Sequence, residues 1–269
     1  MSLIYRVFIK PEKVYPKPIS EWDAIDNLPL CAKDVRWSLL YRKLKGERGC
    51  SYLFPQEYMG LVKLLEETNE GTTLKIDPDE EITLDSSTSE IIKSGKKPQP
   101  YIAPIRRPIN PLIEAAHLIR RGQQFESYLQ AYFTLNIDRD PTLAEVCGVS
   151  PQLSWFANEV YAGTGMQRID IFCILLMDRE QEFRVIELKT TPASVDDIDQ
   201  IAKYVRWTKV YIHGASQENV QPVLFARSGL DKNSSASLSS VMRAYDNQHQ
   251  AKPIKYYEFE VRDRSLLIK

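Results

Sequence analysis

GMQRIDIFCILLMDREQEFRVIELKTTPASVDDIDQIAKYVRW, Gly165–Trp207, is the passage from which the architecture is read. Arg168–Met177 and Phe183–Leu188 are dense in Ile, Val, Leu and Phe, the composition of buried strands. The polar run Asp178–Glu182 between them predicts a turn, and so an antiparallel pair. Strand periodicity of two places Glu187 and Lys189 on one face and Ile186 and Leu188 on the other. A hairpin brings the start of its first strand beside the end of its second. Asp170, which follows Gly163 and Gly165, therefore converges with Glu187, although Glu187 lies 17 positions further along the chain. Val195–Trp207 then reads as an amphipathic helix.

Outward from that hairpin, helices are predicted over 110–121, from Gly122 to Phe133, and from Asp140-Pro141 to about Gly148, followed by a strand over 154–161. Beyond Trp207 the expected elements are strands 209–213 and 220–226, a helix over 236–245 and a strand over 254–261. Helices, three strands, a helix and further strands make an α/β class with a mixed β-sheet flanked by helices. Residues 1–95 read as a separate small α+β domain. It has a strand over 3–9, helices over 34–44 and 55–67, and a hairpin of 72–76 with 81–84. Ser86–Ser89 and the proline-containing SGKKPQPYIAP suggest a linker, which places a boundary between residues 95 and 96 and the larger domain over 96–269.

The 269 residues carry 35 basic and 36 acidic side chains, so the net charge is −1 and no global field selects a polyanion or a membrane. The charge is segregated instead. Lys33–Arg48 holds six basic and two acidic residues, Glu66–Glu90 nine acidic and one basic, and Ile91–Arg121 seven basic and one acidic. Ile169–Met177 is too short and too interrupted to span a bilayer, and the first ten residues lack the apolar core of an export signal. Cys31, Cys50, Cys147 and Cys173 show no CxxC spacing, which argues against a zinc site and a disulfide scaffold. His117, His213 and His249 form no metal-ligand pair, and no GxxxxGK[ST] loop occurs. A cytoplasmic location is expected.

Two carboxylates brought together repel, and a Mg²⁺ or Mn²⁺ ion relieves the repulsion, since hard divalent ions take carboxylate, water and phosphate oxygens. Such an ion polarises a phosphodiester and acidifies an attacking water. Lys189, on the same face, is placed to orient that water or assist its deprotonation and to neutralise charge developing on phosphorus. The Leu188 backbone carbonyl is a further oxygen ligand. Asp170, Glu187 and Lys189 are thus the expected catalytic set, with Asp170, Glu187 and Leu188 as expected metal ligands.

Ile169-Asp170 followed by Glu187-Leu188-Lys189 resembles the PD-(D/E)XK nuclease superfamily, with Ile169 where the motif's name has proline. The resemblance covers roughly residues 110–213. It implies a restriction-endonuclease-like core, Glu126 in GQQFESYLQAYF as the acidic residue of the preceding helix that completes the metal site, and Gln200 with Tyr204 as the QxxxY pair of the RecB-type subgroup, which adds Gln200 to the catalytic set. ELK…QIAKYVRW is also similar to NucS-type endonucleases. The implied activity is Mg²⁺-dependent endonucleolytic cleavage of DNA that leaves 5′-phosphate and 3′-hydroxyl ends.

Basic and aromatic side chains alternate in DVRWSLLYRKLKGERG. Arg36, Trp37, Tyr41, Arg42 and Lys43 there, with Arg106, Arg107 and Tyr204, are the expected nucleic-acid contacts, against the simpler reading of residues 34–44 as an amphipathic helix. Arg120 and Arg121 extend the second basic patch. Restriction-type defence and repair both fit such a nuclease, with the balance toward defence. RNA remains open as a substrate, and the alternative function is an inactive nuclease-like module that only binds nucleic acid. Cutting both strands calls for two sites related by a two-fold axis, hence a homodimer.

Overall fold

The computed structural model describes residues 12–31, 52–75, 77, 79–97, 110–149, 151–162, 167–249, 252–262 and 264–269. The chain divides into two compact units, Met1–Arg106 and Arg107–Lys269. The division lies C-terminal to the change in composition near residue 95. The expected strand over 3–9 and helix over 34–44 lie outside the described residues.

In the first unit, α1 (Glu21–Cys31) packs on α2 (Pro55–Thr68) through Ala24, Leu28 and Leu64. Pro55 opens α2 where its missing N–H costs no hydrogen bond. The hairpin differs from the one expected. Strand β1 (Ile82–Asp85) pairs with β2 (Glu90–Lys93), and Leu74 instead bridges Val14. The cause is local. Asp85 Oδ1 accepts hydrogen bonds from Ser87 N at 2.8 Å and Ser87 Oγ at 2.7 Å, so the Ser/Thr cluster folds into a turn rather than a linker.

The second unit begins with three helices, two of them started by a side-chain cap. Asn110 caps α3 (Pro111–Arg120) by accepting from Leu112 N. Asp140 caps α5 (Pro141–Cys147) by accepting from Thr142 N and Leu143 N, and Gly148 ends it in the left-handed region at φ +61°. Between them lies α4 (Glu126–Asn136). Strands β3 (Leu153–Tyr161), β4 (Arg168–Met177) and β5 (Glu180–Lys189) form an antiparallel meander. Helix α6 (Val195–Tyr211) crosses over to β6 (Val220–Arg227), and α7 (Lys232–His249) crosses to β7 (Lys255–Arg262). Both of these strands run parallel to β5, and β8 (Ser265–Ile268) closes the far edge antiparallel to β7. The result is a mixed six-stranded sheet in the order β3-β4-β5-β6-β7-β8, flanked by helices.

One face of the sheet presents Ile171, Cys173, Leu175, Ile186, Leu188, Val223, Phe225 and Phe259 to α3, α4 and α5, which answer with Ala115, Leu129, Phe133 and Leu143. Burial of this layer stabilises the unit at roughly 25 cal/mol per Å² of apolar surface removed from water. The opposite face, carrying Asp170, Phe172, Val185, Glu187 and Leu224, turns toward α6. Strands β4 and β5 are apolar on both faces because both are covered.

Two expectations in this unit are corrected. The turn of the central hairpin is Asp178-Arg179 alone, with φ of +47° and +77°, so β5 starts at Glu180. No strand forms over 209–213: residues 209–211 are the last turn of α6, and Ile212 ends the helix in an extended conformation. Thr208 Oγ1 donates to Tyr204 O, Ile212 N donates to Thr208 O, and the Trp207 and Tyr211 rings lie 5.8 Å apart. Tertiary packing overrides the β-propensity of that stretch.

Candidate active site

The β4–β5 register pairs Ile171 with Ile186, which sets Asp170 and Glu187 opposite each other one step further along. Both are buried, at 6% and 1% exposure. Asp170 Oδ2 accepts from Leu188 N at 2.7 Å, so the Leu188 amide ties the first strand's carboxyl to the end of the second. Gln130 Nε2, from α4, donates to Asp170 O at 3.3 Å and to Glu159 Oε1 at 2.9 Å. Glu159 on β3 is held in turn by Arg168 Nη1 at 2.5 Å, and its own φ is +54°, an unusual conformation for a non-glycine residue in a strand.

Lys189 is the hub of the other half. Its Nζ donates to Glu187 Oε1 at 2.7 Å and to Gln200 Oε1 at 2.9 Å, and lies 3.5 Å from Asp197 Oδ1. Gln200 Nε2 then donates to Tyr204 Oη at 2.8 Å. The i, i+4 spacing on α6 that was read in the sequence puts these two side chains in contact. Tyr204 is only 2% exposed, so its ring offers no face to a nucleic acid. It supports Gln200 instead, and burial pushes its hydroxyl up to about 12, which keeps it neutral.

Burial raises both carboxyl pKa values. For Asp170 the adjacent Glu187 carboxylate adds to the effect, the Leu188 amide opposes it, and the charge of Glu126 adds a further increment. For Glu187 the Lys189 ammonium opposes burial, while Glu126 and Asp197 reinforce it. Burial works against the charge of Lys189, but Glu187, Asp197 and Asp170 outweigh it and hold its pKa above the ordinary value. Glu126, the first residue of α4 and exposed, is therefore close enough for its field to reach the pair.

One atom among these is unsatisfied. Glu187 Oε2 is buried and has no hydrogen-bond partner among the described residues. A buried carboxylate oxygen left bare costs on the order of 1–3 kcal/mol. Among the described residues no three His, Cys, Asp or Glu side chains form a ready cage. An ion at Asp170 and Glu187 would complete its shell with water and substrate oxygens, the ordinary habit of Mg²⁺. No model of a known protein family matches the chain, and no curated protein matches its sequence.

Asp197, Gln130 and Glu159 were not singled out from the sequence. Asp197 had a legible signal, because Ser194-x-x-Asp197 is a capping pair, and Asp197 Oδ2 accepts from Ser194 N at 2.7 Å. Gln130 and Glu159 carry no local signal, since their roles arise from contacts between α4, β3 and β4. Arg36, Trp37, Tyr41, Arg42, Lys43, Arg106 and Arg107 lie outside the described residues. Cys147 and Cys173 are buried free thiols, and no helix among the described residues is long and apolar enough to cross a membrane.

Proposed function

We propose that the second unit is a divalent-metal-dependent nuclease of the PD-(D/E)XK type, with a restriction-endonuclease-like core, that hydrolyses phosphodiester bonds of DNA. The observation that carries this reading is the bare, buried Glu187 Oε2 beside Asp170, at the carboxyl end of β5, with Lys189 fixed on the same face. Burial, with nearby carboxylate charge, raises the proton affinity of both carboxyls, a penalty on their charged forms that a divalent cation offsets. A Mg²⁺ or Mn²⁺ ion bound there supplies Lewis-acid polarisation of the phosphodiester and an acidified water.

The chain's own residues do the rest. Asp170 and Glu187 provide the oxygen ligands, with Glu126 within reach of the same field. Lys189, held charged by Glu187 and Asp197, acts as a donor rather than a base, orienting the nucleophile and neutralising charge at phosphorus. Gln200, braced by Tyr204, fixes the ammonium in place. Restriction-type defence remains the favoured role for the whole chain, with repair beside it.

The test is conversion of supercoiled plasmid to nicked and linear forms in Mg²⁺ or Mn²⁺. Asp170→Ala and Glu187→Ala are each expected to lower the rate more than about a hundredfold. Undiminished cutting by either variant overturns the assignment. Salt-sensitive DNA binding without cleavage or cation binding identifies an inactive module instead.

A further inference from the structure

Away from the carboxylates, a cleft of about 630 Å³ lies between α3 and the β7–β8 turn, lined by His117, Arg120, Arg262, Arg264 and Ser265 over a floor of Ile113 and Ala116. Arg262 is engaged by Glu260, at 2.8 Å. Arg120 and Arg264 are exposed and make no ion pair among the described residues. The sheet register locates this cleft. Lys189 is level with Ala226, Ala226 with Glu258, and Arg262 lies four residues beyond Glu258 in the same direction. Two interstrand steps of about 4.8 Å and four residues of about 3.3 Å put Arg262 roughly 16 Å from Lys189, past the sheet end that carries the carboxylates. That separation is about five base-pair steps of duplex, at roughly 3.4 Å each.

We propose that this cleft is a second nucleic-acid contact, holding backbone phosphates away from the scissile bond through Arg120 and Arg264, with Arg262 marking its nearer limit about five steps off. The proposal rests on the nuclease reading for its substrate. The occupant follows from the exposure of the cations. A lone small anion on exposed arginines gains little, because water and salt screen the attraction. A polyanion bound at several phosphates at once releases its condensed counterions and accumulates affinity contact by contact. Such contacts set register and orientation without reading sequence. The distance of Arg262 from Lys189 places the cleft outside the chemical step. It also explains how a chain of net charge −1 engages a polyanion, through a local strip rather than a global field.

The experiment measures binding of a fluorescein-labelled 20-base-pair duplex by anisotropy between 50 and 200 mM KCl. The full-length chain carries Asp170→Asn so that the substrate is not consumed, and Glu187→Gln serves as a second background. Adding Arg120→Ala with Arg264→Ala is expected to weaken binding about tenfold at 100 mM and to flatten the log–log salt slope by about 2. Arg139→Ala, in the loop after α4, is expected to leave the slope unchanged. Circular dichroism checks that each variant is folded. An unchanged slope in the folded double variant overturns the proposal, as does the absence of duplex binding in both backgrounds. Failure of the nuclease reading shows separately, as a wild type that does not cut plasmid in Mn²⁺.

Discussion

Asp170 is a residue whose environment costs stability. Burial, and then the Glu187 carboxylate, raise its pKa in the folded protein. A carboxyl with a folded pKa above its unfolded value, about 4, binds more protons when folded over the interval between the two. Stability is therefore fullest below the unfolded pKa and falls as pH rises toward the folded one. Asp170→Asn removes the charge and keeps an oxygen to accept from Leu188 N. In EDTA at pH 8 the variant is expected to melt higher than wild type, at about 2–4 °C per kcal/mol, with the gap closing near pH 4. Thermal scans at the two pH values check it, and a variant that melts lower at pH 8 contradicts the account. The residues of this site were legible to different degrees for a physical reason. Asp170, Glu187, Lys189, Gln200 and Tyr204 sit at spacings that strand and helix periods convert directly into a shared face. Gln130 and Glu159 act across three elements, and nothing in their neighbourhoods along the chain announces it.

Elements whose ends carry their own chemistry emerge from sequence with sound boundaries. Asn110-Pro111 and Asp140-Pro141 start α3 and α5 where expected, because cap and proline act within a few residues. Elements whose limits depend on partners do not. The residues at 209–211 favour a strand in isolation and stay helical because Trp207 and Thr208 are packed. The polar run Asp178–Glu182 conceals that only two of its residues turn. That turn carries positive φ at both positions without glycine. Asn-Gly is the pair best suited to such a two-residue hairpin turn. Asp178→Asn with Arg179→Gly is expected to raise the unfolding free energy by about 0.5–1 kcal/mol, seen as a higher urea midpoint with the m-value unchanged. Equilibrium unfolding measures both quantities. A lower midpoint would show that Arg179 contributes more than its backbone conformation costs.

At the scale of the whole molecule, the feature that matters is that the chemistry and its scaffold share one unit. Every residue of the site, from Glu126 to Tyr204, and every residue of the large core cluster belongs to Arg107–Lys269. That length is enough for an independent core. The fragment 107–269 is expected to unfold in a single cooperative transition and to bind Mn²⁺ at Asp170 and Glu187. A ligand that binds only the folded state adds about 2.7 kcal/mol at a hundred times its dissociation constant, so saturating Mn²⁺ should raise the fragment's melting temperature by several degrees. The rise should vanish in Glu187→Gln, which removes a ligand charge from the site. Calorimetry on the fragment and the full chain, each with and without Mn²⁺, makes the comparison. Equal shifts place the whole cation site within the second unit. A shift in the full chain alone would mean that residues before Arg107 complete it, and the first unit would then take part in metal binding.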